Sequence, residues 1–222
     1  MNDLKLLLKV ILIVVIISII IKKSCSNKYI INQNFTQFTR NKKITAIVLN
    51  YNRPHNIPKL VKKLKNIKFI NEIIISHGKK ETTVLIDDPI VVNETEVGNK
   101  YFSANRFEIA NMAKNDYIMF IDDDIYPSIS WMNKVIRKIN NDGLTSWQNL
   151  YCPYPRKCDN NLYKFSLIGL NYNIVLTKLA IIRKDRAVRI WNKIKETKYL
   201  DILLENKGNG EDIVFSTFVR LF

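Results

Sequence analysis

The chain has little of what builds metal and disulfide scaffolds. Its 222 residues include three cysteines and two histidines. Cys25, Cys152 and Cys158 are too few for a disulfide-dense secreted module, and neither His55 nor His77 stands beside a cysteine at zinc-ligand spacing. A His-ligated metal centre and a haem site are disfavoured on the same count. Glycine is scarce, with six residues, and no Gly-rich phosphate loop of the P-loop kind occurs. That argues against a nucleotidyltransferase built on such a loop. Acidic residues are also in the minority, 20 against 35 basic, for a net charge of +15. The excess fits an anionic partner, whether nucleic acid, anionic lipid or a phosphorylated or acidic-sugar ligand. It fits equally a composition rich in Lys, Ile and Asn throughout. What is abundant is apolar: 47% hydrophobic against 25% charged residues, the balance of one globular domain.

The longest apolar run lies at the amino end. Leu4 to Ile21 is apolar apart from Lys5, Lys9 and Ser18, close to the about 20 residues a membrane span needs. Lys22 and Lys23 follow where a cleavage region is normally uncharged, which favours an uncleaved signal anchor at residues 1–23 over a removed leader. Basic residues flank both ends, so charge alone does not orient it. Two sequons, Asn34-Phe35-Thr36 and Asn93-Glu94-Thr95, lean toward a lumenal domain. The expectation is a single-pass protein of the ER or Golgi, type II. Residues 24–43 are polar and aperiodic and read as a stem; residues 44–222 form the domain.

Within that domain short β-branched runs alternate with helical patterns. Ile44–Leu49, Glu72–Ser76, Ile90–Val92 and Tyr117–Ile121 read as buried strands. Ile57, Leu60, Val61, Leu64 and Ile67 repeat at helical spacing, residues 105–113 and Trp131–Ile139 read as helices, and a last helix starts near Gly210. The alternation predicts an α/β fold with a mainly parallel, Rossmann-like sheet and flanking helices. The stretch from Thr145 to Asn173, rich in aromatics, Pro and Asn, reads as a less regular acceptor-side region. Cys152 and Cys158 form either a local disulfide or two thiols. Trp131, Trp147 and Trp191 read as core, with Trp147 or Tyr151 as alternatives for stacking on a sugar.

Ligands of such sheets bind beyond the carboxyl ends of the strands. Three polar groups fall there: Asn50 to Arg53, His77-Gly78, and the triplet Asp122-Asp123-Asp124. His77 reads as a loop residue. Three adjacent carboxylates repel one another, and a hard divalent cation with a phosphate to complete its shell would relieve the cost. The alternative is a solvated acidic turn before a helix. Gly210-Glu211-Asp212 is a second acidic motif at a helix start, where the macrodipole favours it in any case. A sugar-transfer site needs both sets, one for metal and diphosphate and one facing the sugar or the acceptor hydroxyl.

On Leu49-Asn50-Tyr51-Asn52-Arg53, Ala104-Asn105-Arg106-Phe107, Phe120 to Ile125 and Gly210 to Ile213, taken in order, residues 44–220 resemble a GT-A nucleotide-sugar glycosyltransferase. The nearest likeness is to the exostosin-like enzymes of heparan sulfate assembly. The resemblance implies a UDP-sugar donor, such as a UDP-N-acetylhexosamine, with Mn²⁺ or Mg²⁺, a carbohydrate or glycoconjugate acceptor, and retention of the anomeric configuration. It places Tyr51 and Arg53 at the nucleotide, and Asn105 and Arg106 at the diphosphate or donor sugar. Asp122 and Asp123 would face hydroxyls, Asp124 with Asp122 beside it would hold the metal, and Asp212 with Glu211 would stand at the reacting carbon. The family's pattern continues past the Glu-Asp motif, whereas this sequence stops ten residues after Asp212. That departure raises one further expectation, an inactive binding module on the same fold, and the net charge of +15 raises another, a basic membrane-tethered polyanion binder. No nucleic acid partner is expected of the enzyme.

Overall fold

The computed structural model describes residues 42–96, 100–141, 152–153, 155–159, 162–165 and 174–221. The expected anchor, most of the stem, the Asn34 sequon, Trp147, Tyr151 and the side chain of Cys158 lie outside the described residues. Among the described residues no helix is long and apolar enough to cross a membrane.

The elements in chain order are β1 (Ile44–Asn50), α1 (Ile57–Lys65), β2 (Ile70–His77), β3 (Val91–Glu94), α2 (Asn105–Ile109), β4 (Tyr117–Asp122), α3 (Ile129–Asn141), β5 (Pro155–Asp159), β6 (Leu162–Phe165), β7 (Ile174–Val175), β8 (Leu179–Arg183), α4 (Lys184–Lys195), α5 (Tyr199–Glu205) and α6 (Glu211–Leu221). Five strands form the central sheet in the order β3-β2-β1-β4-β8. The first four are parallel and β8 runs antiparallel to β4. A second sheet of three antiparallel strands has the order β6-β5-β7. Its strands β5 and β6 lie in the stretch read as irregular and are too short to show a clear alternation.

The helices follow from their apolar stripes. Ile57, Leu60, Val61 and Leu64 of α1 are all buried, at the spacing of one helical face. On the other side of the sheet, Ile47, Ile74, Ile118 and Phe120 pack in one cluster with Phe107 of α2, Trp191 of α4 and Phe215 of α6. The Phe107 and Phe215 rings stack with centroids 4.1 Å apart, and Phe120 meets Phe107 edge-on at 5.3 Å. Each of these rings sits close in sequence to a polar candidate: Phe107 beside Arg106, Phe120 before Asp122, Phe215 one turn after Glu211. The aromatic trio thus sets the register of three otherwise separate segments, and buried aromatic pairs of this geometry add to their area burial about 0.5–1.5 kcal/mol each. Trp191 is core as expected, whereas Trp131 is half-buried.

Asn93, the acceptor of the second sequon, is a β3 residue. Its side-chain amide donates to the Ile86 carbonyl at 3.0 Å and accepts from the Ile86 amide at 3.1 Å. The sequon is therefore used structurally, and no inference about a lumenal setting rests on it.

Candidate active site

Parallel pairing places the strand ends side by side. Asn50 lies opposite His77, and Leu49 opposite Asp122. Beyond this edge opens a cleft of about 390 Å³. Tyr51, Arg53, Ser76, Arg106, Asp122 and Asp123 line it, together with Phe102, Ser103, Lys207 and Asn209 from two facing loops. Five of the expected nucleotide-sugar residues therefore share one wall system. Asn105 does not. It is fully buried, and its Nδ2 donates to Ser76 Oγ at 2.8 Å, so it braces a lining residue from behind.

The Asp triplet is split by the strand's alternation. Asp122, the last residue of β4, turns to the α2 side and accepts from Arg106 Nη2 at 2.7 Å. Asp123 turns to the other side, is buried, and pairs with Arg53 Nη1 at 2.9 Å. Asp123 also draws the Arg53 backbone N–H, at 3.3 Å from Oδ2. The same Arg53 Nη1 lies 3.0 Å from Asp124 Oδ2. Two guanidinium groups offset part of the electrostatic cost of the three adjacent carboxylates. Hydrogen bonding to Asp123 and the charge of Asp124 raise the Arg53 pKa further.

Arg106 is the centre of the arrangement. Its Nε donates to the Ser103 carbonyl at 3.0 Å and its Nη1 to the Thr177 carbonyl at 2.7 Å. Its side chain is 3% exposed. Burial opposes its charge, but Asp122, Glu211 and Asp212 outweigh that and its pKa is raised. The two acidic motifs, distant in sequence, thus meet around one buried cation. Glu211 is half-buried, and burial together with the neighbouring Asp212 pushes its pKa up to about 7. Asp212 Oδ1 accepts from the Thr177 N–H at 2.6 Å and from the Thr177 hydroxyl at 2.5 Å, which holds the carboxylate in one orientation. Neither carboxylate lines the cleft itself; both adjoin it through Arg106.

His77 is not a loop residue. It ends β2, is buried, and its Nδ1 lies 2.9 Å from Asn50 Nδ2. Desolvation lowers its pKa, so it serves as a neutral brace under the cleft. Gly78 follows because the next position has no room: a Cβ there would lie 2.6 Å from Cδ2 of the Tyr51 ring. Lys79 Nζ sits 4.1 Å from the centroid of that ring.

Several contributors were not foreseen. Ser76, Ser103, Thr177, Lys207 and Asn209 are ordinary residues whose role depends on which segments meet, and no local pattern marks them. Phe102 and Lys207 adopt positive φ, of 52° and 51°, which no sequence signal announces.

Among the described residues no three His, Cys, Asp or Glu side chains form a ready metal cage. The donor set fits a cation held differently. Asp124, next to the lining Asp123 and with a side chain 41% exposed, could offer an anionic oxygen to such an ion. A diphosphate would supply the remaining oxygens, as hard cations with few protein ligands require.

The comparisons with known proteins follow the geometry. No curated protein matches the chain in sequence. Among solved structures, it is similar to the 2-C-methyl-D-erythritol 4-phosphate cytidylyltransferase IspD of Francisella tularensis, with a TM-score of 0.48 and 12% identity over 80% of this chain and 87% of that one. It is also similar to the glycosyltransferase GlyE of Streptococcus pneumoniae, with a TM-score of 0.44 and 11% identity over 81% of this chain and 44% of that one. The kinship established by sequence is broader than the exostosin-like group. The profile of "Glycosyl transferase family 2" matches residues 45–195, from β1 to the end of α4. With the parallel sheet and the strand-end cleft, this places the chain in glycosyl transferase family 2, a nucleotide-sugar glycosyltransferase family of the GT-A type.

Proposed function

We propose that the protein transfers a sugar, an N-acetylhexosamine or another hexose, from a UDP-sugar to a carbohydrate or glycoconjugate acceptor. The observation that carries this reading is the meeting of Asp122, Glu211 and Asp212 around buried Arg106 at the strand ends. Tyr51 and Arg53 take the nucleotide and its diphosphate. Asp122 and Asp123 face hydroxyls of ribose and sugar. Mn²⁺ or Mg²⁺ would be held by Asp124, with Asp122 beside it, and would neutralise charge on the leaving diphosphate.

In the transfer the acceptor oxygen bonds to the anomeric carbon as the bond from that carbon to the diphosphate oxygen breaks. The electron pair leaves with the diphosphate, and the acceptor proton passes to a carboxylate. Asp212, oriented by Thr177, is that base, and Glu211 sets the charge beside it. Single displacement with such a base inverts the anomeric centre; the retention implied by the exostosin-like resemblance would leave it unchanged. NMR of the product anomer separates the two. The apolar run from Leu4 to Ile21 supports attachment of this domain to a membrane.

The test is release of UDP from a panel of UDP-sugars with Mn²⁺ or Mg²⁺, comparing the protein with Asp212→Asn. Asn keeps the size and can still accept from Thr177, so the fold and UDP binding should persist. Turnover should fall about 10²–10⁴-fold. Equal turnover in the variant would remove Asp212 from the chemistry. Absence of turnover by the parent, with UDP still bound, would leave a binding module in place of an enzyme.

A further inference from the structure

The loop between α5 and α6 ends its helix in an unusual way. The Lys207 N–H bonds the Leu204 carbonyl at 3.0 Å, and the Gly208 N–H bonds the Leu203 carbonyl at 2.7 Å. These are the two hydrogen bonds of a Schellman termination, with Lys207 at the left-handed position. Glycine normally stands there, because a Cβ at positive φ costs roughly 1 kcal/mol or more. Here the residue is lysine at φ 51°, and glycine follows it at φ 82°. Gly208 cannot be exchanged: a Cβ on it would lie 2.8 Å from the Ser103 backbone nitrogen, and its carbonyl accepts from Ser103 Oγ at 2.9 Å. The loop is thus pinned to the opposite rim, where Phe102 is also at positive φ. This termination places Lys207 on the cleft wall.

The charges of the cleft explain what a cation there can do. Arg53 is engaged by Asp123 and Asp124. Arg106 spends its donors on Asp122, Thr177 and Ser103. Both guanidinium groups offset carboxylates already present. Lys207 is exposed, lines the same cleft, and makes no ion pair among the described residues. An anionic ligand entering here meets two lining carboxylates, Asp122 and Asp123, and needs positive charge that is not already matched. We infer that Lys207 is a further binding cation for the diphosphate of the donor, adding its unmatched charge to the rim Arg53, an assignment that rests on the proposed nucleotide-sugar reading. As the bond between sugar and diphosphate breaks, its electron pair adds negative charge to the leaving oxygen, and the ammonium group offsets it. The strained backbone conformation seats Lys207 on the wall where this charge would act. A lysine present only to complement the helix terminus would not need the cleft-facing position.

The experiment titrates the full chain with UDP, uridine and pyrophosphate by calorimetry, alongside Lys207→Gly and Lys207→Arg. Glycine is the residue the left-handed position prefers, so Lys207→Gly should keep or raise the thermal midpoint. UDP and pyrophosphate should bind it about tenfold more weakly, the loss of one charge-assisted hydrogen bond, with uridine unchanged. Lys207→Arg should recover most of the UDP affinity. Unchanged UDP affinity in Lys207→Gly overturns the assignment and leaves the nucleotide site standing. An equal loss for UDP and uridine with a lowered midpoint also overturns it, showing a structural loop residue. If the parent binds neither UDP nor pyrophosphate, the nucleotide-sugar reading itself fails, and the assignment with it.

Discussion

Arg53 and Arg106 hold carboxylates of one Asp triplet, yet they are opposite kinds of ion pair. The Arg53 side chain is 50% exposed, at the rim. The Arg106 side chain is 3% exposed and satisfies two backbone carbonyls besides Asp122. An exposed pair holds little net energy and exchanges partners readily. A buried one is costly to break, because the surviving partners stay desolvated. The rim arginine can therefore release its carboxylates to a ligand, while the buried one frames the site and keeps the two acidic motifs together.

The sharpest way to break this contrast is Arg106→Met. It leaves Asp122 without its cation and two carbonyls without donors, so stability should fall by about 3–5 kcal/mol. Urea unfolding measures this, and a loss under about 1 kcal/mol would place Arg106 with the rim pairs. Lysine should rescue only in part, since a single ammonium group cannot reproduce the planar fork.

A smaller effect comes from Glu211, which shares the field of Arg106. Its pKa rises from 4.5 to about 7 on folding. A raised folded-state pKa gives a contribution that is fully present below the unfolded value and lost as pH rises through the folded one. Between about pH 5 and pH 8 the parent should lose on the order of 2 kcal/mol that Glu211→Gln does not lose. The pH dependence of the thermal midpoints shows it; parallel curves would mean that Glu211 ionises freely.

The smallest stability effect belongs to Arg53→Gln. Its midpoint should match the parent's, because the side chain is largely solvated. Its affinity for UDP should nevertheless drop severalfold. A clear loss of midpoint would erase the distinction between the two arginines.

Much of this site was legible before any coordinates. β1, β2 and β4 are dense runs of β-branched and apolar residues, and burial on both faces leaves few other readings. Once the strands were placed, their polar ends followed, and so did Tyr51, Arg53 and the Asp triplet. The small sheet escapes the sequence reading for a physical reason. The small sheet's strands are two to five residues long, too short to show a period. Asn105 reads as a ligand of the donor and His77 as a loop residue because nothing local marks a polar residue at an element's end as buried, whereas here they pair with Ser76 and Asn50 below the surface.

The amino-acid sequence by itself determined the alternation of strands and helices and the candidate carboxylates, because burial imposes a local period that any stretch of chain must show. Tertiary structure alone decided that Arg106 stands between Asp122 and the Glu211–Asp212 pair, that Arg53 pairs with Asp123 and Asp124, and that Lys207 lines the cleft. Those outcomes depend on which distant segments are packed together. Here the stacking of Phe107, Phe120 and Phe215 performs that selection, and a contact between such separated positions leaves no period along the chain.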